Sequence, residues 1–192
     1  MIPLSVDFYK RDTIQVAREL LGKLIVREIH GEQLIGMIVE TEAYHAFDPA
    51  CHAFKGKTER NESLFGPVGH AYVYFIYGNH YCLNVVSHDQ NVIAGGVLIR
   101  AVEPLEGIEI MHQLRGQHTI KNLTNGPGKL AQAFAIDRKL DGTPLTGEGP
   151  ITLCEGVPIA SHRIQATQRI GISQATEHEW RFILKDSLYL SK

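Results

Sequence analysis

The chain is poor in cysteine. Cys51, Cys82 and Cys154 are odd in number and far apart, which excludes a disulfide framework, and the absence of a C-x-x-C pair excludes the common zinc ribbon. Long apolar runs are missing too: nothing approaches the roughly 18 apolar residues that a membrane span requires. The opening MIPLSVDFYKRD has neither the basic nor the apolar region of a signal peptide. Together these absences lead us to expect reduced thiols and a cytoplasmic protein, associated with the nucleoid in a bacterium, with no membrane partner. No charge of one sign dominates, for the formal net charge is -2. Nucleic-acid binders usually carry a basic footprint, so the total argues mildly against them. It does not speak for a single face: Lys55, Lys57 and Arg60 are neighbours, as are Lys121, Lys129, Arg138 and Lys139. Catalytic signatures are absent as well. The ten histidines show no H-E-x-x-H spacing, and there is no G-x-S-x-G elbow, no G-x-x-x-x-G-K-[ST] loop and no dinucleotide fingerprint. We therefore expect no bound metal and no cofactor.

What is present is apolar material for a core, 44% of the 192 residues, in a length that fits one domain over 1–192. DTIQVARELLG, residues 12–22, reads as a helix with Asp12 as cap, Gln15 completing a capping box and Gly22 as stop. KLIVREI and QLIGMIVETEAY, joined at HGE, read as a hairpin, as do AYVYFIY and HYCLNVV around Gly78 and Asn79. Residues 46–70 form a long loop of the kind that is usually functional or disordered. VLIRAVE is a further strand. Pro104 is expected to open a helix carrying Leu105, Ile108, Met111 and Leu114, and NGPGKLAQAFAI to hold another. Short strands fill the last forty residues. Strands in neighbouring runs favour an α+β fold with a largely antiparallel sheet.

Three stretches carry chemistry. In IVETEAYH a regular strand would put Glu40, Glu42 and Tyr44 on one face. Two carboxylates so placed repel unless a cation or water intervenes; a strand end reaching solvent and a pocket floor both fit. Tyr72, Tyr74, Tyr77 and Tyr81 fall within ten residues. They fit a packed sheet, or a surface that stacks on nucleobases at ~1–3 kcal/mol each. NGPGKL, with Lys129, fits a phosphate contact or a plain helix start.

Taken in order, ARELLGK, VETEAY, YVYFIYG, LIRAVEPLEG and NGPGKL resemble the alkyladenine (3-methyladenine) DNA glycosylase family of mammalian type, over nearly the whole chain. The resemblance implies one α+β domain around a curved antiparallel sheet with surrounding helices. It also implies a monofunctional base-excision enzyme, without lyase activity, acting as a monomer on double-stranded DNA that holds a damaged purine. Glu42 would be the general base and Glu40 structural, with Arg100 and the backbone carbonyl of Ile170 helping Glu42 hold the attacking water. Tyr44, His52 and Tyr74 would bind the extruded base, and Asn84 would crowd the amino group of guanine. Tyr77 would be the wedge left in the duplex, with Asn79 beside it, and Arg60 and Lys129 would add DNA contacts. A non-catalytic damaged-DNA-binding module of the same fold is the alternative. A hydrolase of free nucleosides would leave Tyr77 and Lys129 idle.

Overall fold

The computed structural model describes residues 1–191 except 77, 79 and 118. The chain begins with two short helices, α1 (Val6–Tyr9) and α2 (Thr13–Glu19). Asp12 caps α2 by accepting from the Gln15 amide at 2.8 Å. The capping box is not completed: the Gln15 side chain reaches forward to Glu19 at 2.9 Å. Strands β1 (Leu24–Ile29) and β2 (Glu32–His45) follow as the expected hairpin. Its two-residue turn has positive φ at both His30 (53°) and Gly31 (83°), which suits the twist of the flanking strands. Next come β3 (Ala71–Ile76), β4 (His80–Val86) and β5 (Gly95–Glu106), then α3 (Ile108–Arg115) and α4 (Pro127–Ala133), and finally β6 (Ile151–Cys154), β7 (Ile164–Thr167) and β8 (Arg181–Leu184).

Pro104 does not open a helix. It lies in β5 opposite Gly36, and α3 starts after Gly107, whose φ is 72°. The physical reason is that β2 is long enough to hold β5 in the sheet two residues past the proline, through a bulge that leaves Leu105 unpaired.

All pairings are antiparallel, in the order β3-β4-β5-β2-β1-β6, with β8 joining β2 and β7 joining β8. The sheet curls into a half-barrel around one buried cluster. β2 is its spine. It pairs with β5 on one edge and with β1 and then β8 on the other, and its residues from Leu34 to Ala43 are buried almost without break. That explains why its acids sit inside the protein rather than at a wet strand end. Its outer face packs on α2, where the Thr41 hydroxyl donates to the Ala17 carbonyl at 2.7 Å. Two one-residue irregularities of opposite sense lie side by side: Val39 is extra on β2, and Arg100 is extra on β5. The second turns Arg100 out of the regular ladder toward the acids of β2. No described helix is long and apolar enough to cross a membrane.

Candidate active site

The register lines one row of side chains across the concave face. Glu42 of β2 lies opposite Leu98 of β5, Leu98 opposite Asn84 of β4, and Asn84 opposite Tyr72 of β3. At ~4.8 Å per strand the row is ~14 Å long measured along the sheet. The curl closes it into a cavity of about 710 Å³ whose lining includes Glu42, Tyr44, His52, Tyr74, Asn84 and Arg100. Such a volume lies within the ~300–1,000 Å³ of small-molecule sites.

Glu40 and Glu42 are both fully buried, and the cation that their repulsion requires is Arg100, flanked by Arg181. Arg100 donates from Nε to Glu40 Oε1 at 2.9 Å and from Nη1 to Glu42 Oε2 at 3.1 Å. Burial alone would lower the Arg100 pKa, but the carboxylates of Glu42 and Glu40 outweigh it and hold it above its ordinary value. Glu40 Oε1 also accepts from Arg181 Nε at 2.7 Å and from the Ser191 hydroxyl at 2.6 Å, while Oε2 accepts from the Ser191 amide at 2.6 Å. Glu42 accepts from the Tyr44 hydroxyl at 2.8 Å on Oε2 and from the Ile170 amide at 2.7 Å on Oε1. A carboxylate offers about four acceptor sites. Among the described residues Glu40 has four donors, three of them on Oε1, and lies outside the cavity lining, whereas Glu42 has three donors and faces the cavity.

The opposite wall is aromatic. The rings of Tyr72 and Tyr74 lie 5.3 Å apart, and His52 meets Tyr74 edge-on at 4.6 Å. The His52 Nδ1 and the Tyr72 hydroxyl are 2.9 Å apart. His52 keeps an exposed edge at the cavity, but burial of the rest of its ring, then the charge of Arg60, lowers its pKa below the ordinary value. Burial first, then the Glu42 carboxylate, pushes the Tyr44 phenol well above its ordinary range, which keeps it a hydrogen-bond donor. Burial also raises the thiols of Cys51 and Cys82 to about 11, so neither supplies a thiolate nucleophile near neutral pH. The Asn84 side-chain amide donates to the Tyr72 carbonyl at 3.0 Å, which locks it as a rigid wall.

Comparison with known proteins bears on this geometry. A family model described as methylpurine-DNA glycosylase matches residues 7–188. A protein of Carboxydothermus hydrogenoformans is 53% identical over 189 residues, covering 98% of each chain. A protein of Chlorobaculum tepidum is 48% identical over 192 residues, covering 98% of this chain and 90% of its own. One of Salinibacter ruber is 43% identical over 202 residues, covering 100% of this chain and 97% of its own. Each of the three carries the name "Putative 3-methyladenine DNA glycosylase". The chain belongs to the methylpurine-DNA glycosylase family.

Eight of the expected site residues of this family member converge on the one cavity: Glu42, Arg100 and Ile170, with Tyr44, His52, Tyr74, Asn84 and Lys129. The Ile170 amide donates to Glu42 Oε1, a contact separate from the water-holding role that the resemblance implies for the Ile170 carbonyl. Lys129 reaches Asn125 Oδ1 at 2.8 Å at the cavity rim. Arg60 is not brought to the cavity. It lies with Arg138 beside Phe75 and Tyr81, on the reverse face of the β3–β4 hairpin, because strand alternation sends Tyr72 and Tyr74 one way and Phe75 the other. Tyr77 and Asn79 lie outside the described residues. Sequence reasoning missed Ser191, Arg181 and Arg169. Ser191 and Arg181 meet Glu40 from more than 140 positions away, a separation that no local pattern encodes. Arg169 could have been found as the cation adjoining Ile170 in QRIGI.

Proposed function

We propose that this chain is a monofunctional DNA glycosylase of base-excision repair. It extrudes an alkylated or deaminated purine, such as 3-methyladenine, 7-methylguanine, hypoxanthine or ethenoadenine, and hydrolyses its N-glycosidic bond with water activated by Glu42. The observation that carries this reading is the contrast at β2: Glu40 is enclosed by four donors away from the cavity, while Glu42, with three donors, lines the aromatic cavity.

The residue types suit the chemistry. A base must leave the stack before its glycosidic bond is reachable, at about a few kcal/mol, less for a damaged base. Tyr44, Tyr74 and His52 then supply ring faces and edges, and a cationic alkylpurine gains ~0.5–2 kcal/mol from cation–π contact. The Asn84 amide, held by the Tyr72 carbonyl, resists the amino group of normal guanine. Arg100, the Tyr44 hydroxyl and the Ile170 amide keep the Glu42 carboxylate oriented, and Glu42 takes a proton from water as the C1′–N bond breaks. Its charge favours a sugar with oxocarbenium character. Water is the nucleophile, so the product is an abasic site and the strand stays intact. Lys129 at the rim and Arg60 on the outer face of the hairpin contact duplex phosphates, and the enzyme works as a monomer.

Single-turnover release of hypoxanthine from a duplex tests this directly. Glu42→Gln is expected to lower the rate by ~10²–10⁴-fold while duplex binding survives. Binding of damaged duplex by the wild type, with no release of either hypoxanthine or 3-methyladenine, would replace the proposal with a non-catalytic damage-binding module.

A further inference from the structure

The Arg169 side chain is wholly buried and joins three segments that lie behind the cavity lining. Its Nη1 and Nη2 both engage Asp48, in the loop after β2, with the Nη2 contact at 3.1 Å. Nη1 also donates to the carbonyl of Ala43 at 2.9 Å, and Nη2 to that of Ala175 at 3.4 Å. The guanidinium lies 4.6 Å from the centre of the Tyr44 ring and 5.1 Å from that of Trp180. Ala43 is the residue between Glu42 and Tyr44, and Ile170, whose amide holds Glu42, is the next residue after Arg169.

The side chains of Arg169 and Asp48 are both 0% exposed. A buried pair of this kind is weak support for stability, because desolvation offsets most of the attraction. The Arg169 Nε, moreover, is buried with no partner among the described residues. What the pair specifies is geometry. We infer that Arg169, clamped by Asp48, is a positioning residue: it sets the Ile170 amide on Glu42 and backs the Tyr44 ring. This inference rests on the glycosylase reading for its kinetic consequence, though the contact itself does not. The tolerance is small. A 1 Å shift of residue 170 would stretch a 2.7 Å hydrogen bond beyond useful length, and a misplacement of that size can cost ~10²-fold in rate.

Two readouts test it, using Arg169→Gln, Asp48→Asn and Arg169→Lys. The first is amide hydrogen exchange at Ile170. Arg169→Gln is expected to expose that amide to faster exchange, Asp48→Asn to do so less, and Arg169→Lys to restore part of the protection. The second is single-turnover base release at saturating enzyme, expected to fall ~10–10²-fold in Arg169→Gln with duplex affinity kept, and to recover in part in Arg169→Lys. Unchanged exchange at Ile170 in the folded variants would overturn the inference. So would a loss confined to duplex affinity, or a rate loss that merely follows the folded fraction. If Arg169→Gln does not fold, Asp48→Asn, which keeps the arginine, decides by the same criteria. If the wild type releases no base, the glycosylase reading fails, while exchange at Ile170 still decides the positioning role.

Discussion

Glu40 and Glu42 stand two residues apart on one strand, equally buried, yet they serve different regions. Around Glu40 the protein is closed. Arg100, Arg181 and both donors of Ser191 surround it, and the lining of the cavity excludes it. Around Glu42 the protein is open, with three donors on one side and the cavity on the other. The difference teaches that two equally buried carboxylates on one strand can differ in how many donors reach them and in whether they face a cavity. Arg100 belongs to both regions, so the closed one orients the open one.

Breaking the comparison from the Glu42 side is expected to have the largest effect: a turnover loss of ~10²–10⁴-fold in Glu42→Gln, read by single-turnover kinetics, with the fold retained. Breaking it from the other side should reverse the pattern. Glu40→Gln leaves Arg181 and part of Arg100 without a carboxylate and is expected to lower stability by ~3–5 kcal/mol, read by denaturant unfolding. Ser191→Ala sharpens the contrast. It removes a hydroxyl that donates to Glu40 and accepts from Arg100 Nη2 at 3.1 Å. A loss of ~1–3 kcal/mol is expected, with a smaller fall in rate as Arg100 loosens. The rate change is the informative part, because it measures how far the closed region steers the open one.

The smallest effect lies across the cavity at His52. Its folded pKa is held below the ordinary 6.5 by burial and by Arg60. The unfolded chain therefore takes up the proton first, so stability is expected to decline as pH falls below about 6.5. The melting temperature of His52→Gln, followed from about pH 7.5 to pH 5, should fall less steeply than that of the wild type.

Much of this was legible in local patterns. The two hairpins, the Asp12 cap and the proline-led α4 come from turn chemistry and capping, which act within a few residues. Alternation predicted that Glu40, Glu42 and Tyr44 share a face, and the shared partner Arg100 agrees. Pro104 was misread because its φ suits a helix start as well as a strand, and only pairing with Gly36 decides between them. The Gln15 capping box failed for a similar reason, since Glu19 competes for the same side chain. Eight of the residues expected from the family resemblance line the cavity. The resemblance could not show that residue 170 presents its amide to Glu42, because that depends on the backbone path of a loop held from 121 positions away by Asp48.

By itself, then, the sequence determined the hairpins, the antiparallel character of the sheet and the residue types available for acid–base and aromatic contacts, because period, turn and cap preferences act locally. Tertiary structure alone decided which acid is enclosed and which faces the cavity. It did so by the bulge that frees Arg100 on β5 and by the arrival of Ser191, Arg181 and the Arg169–Ile170 loop beside β2. The capacity of a buried carboxylate depends on how many donors reach it, and those donors come from distant parts of the chain.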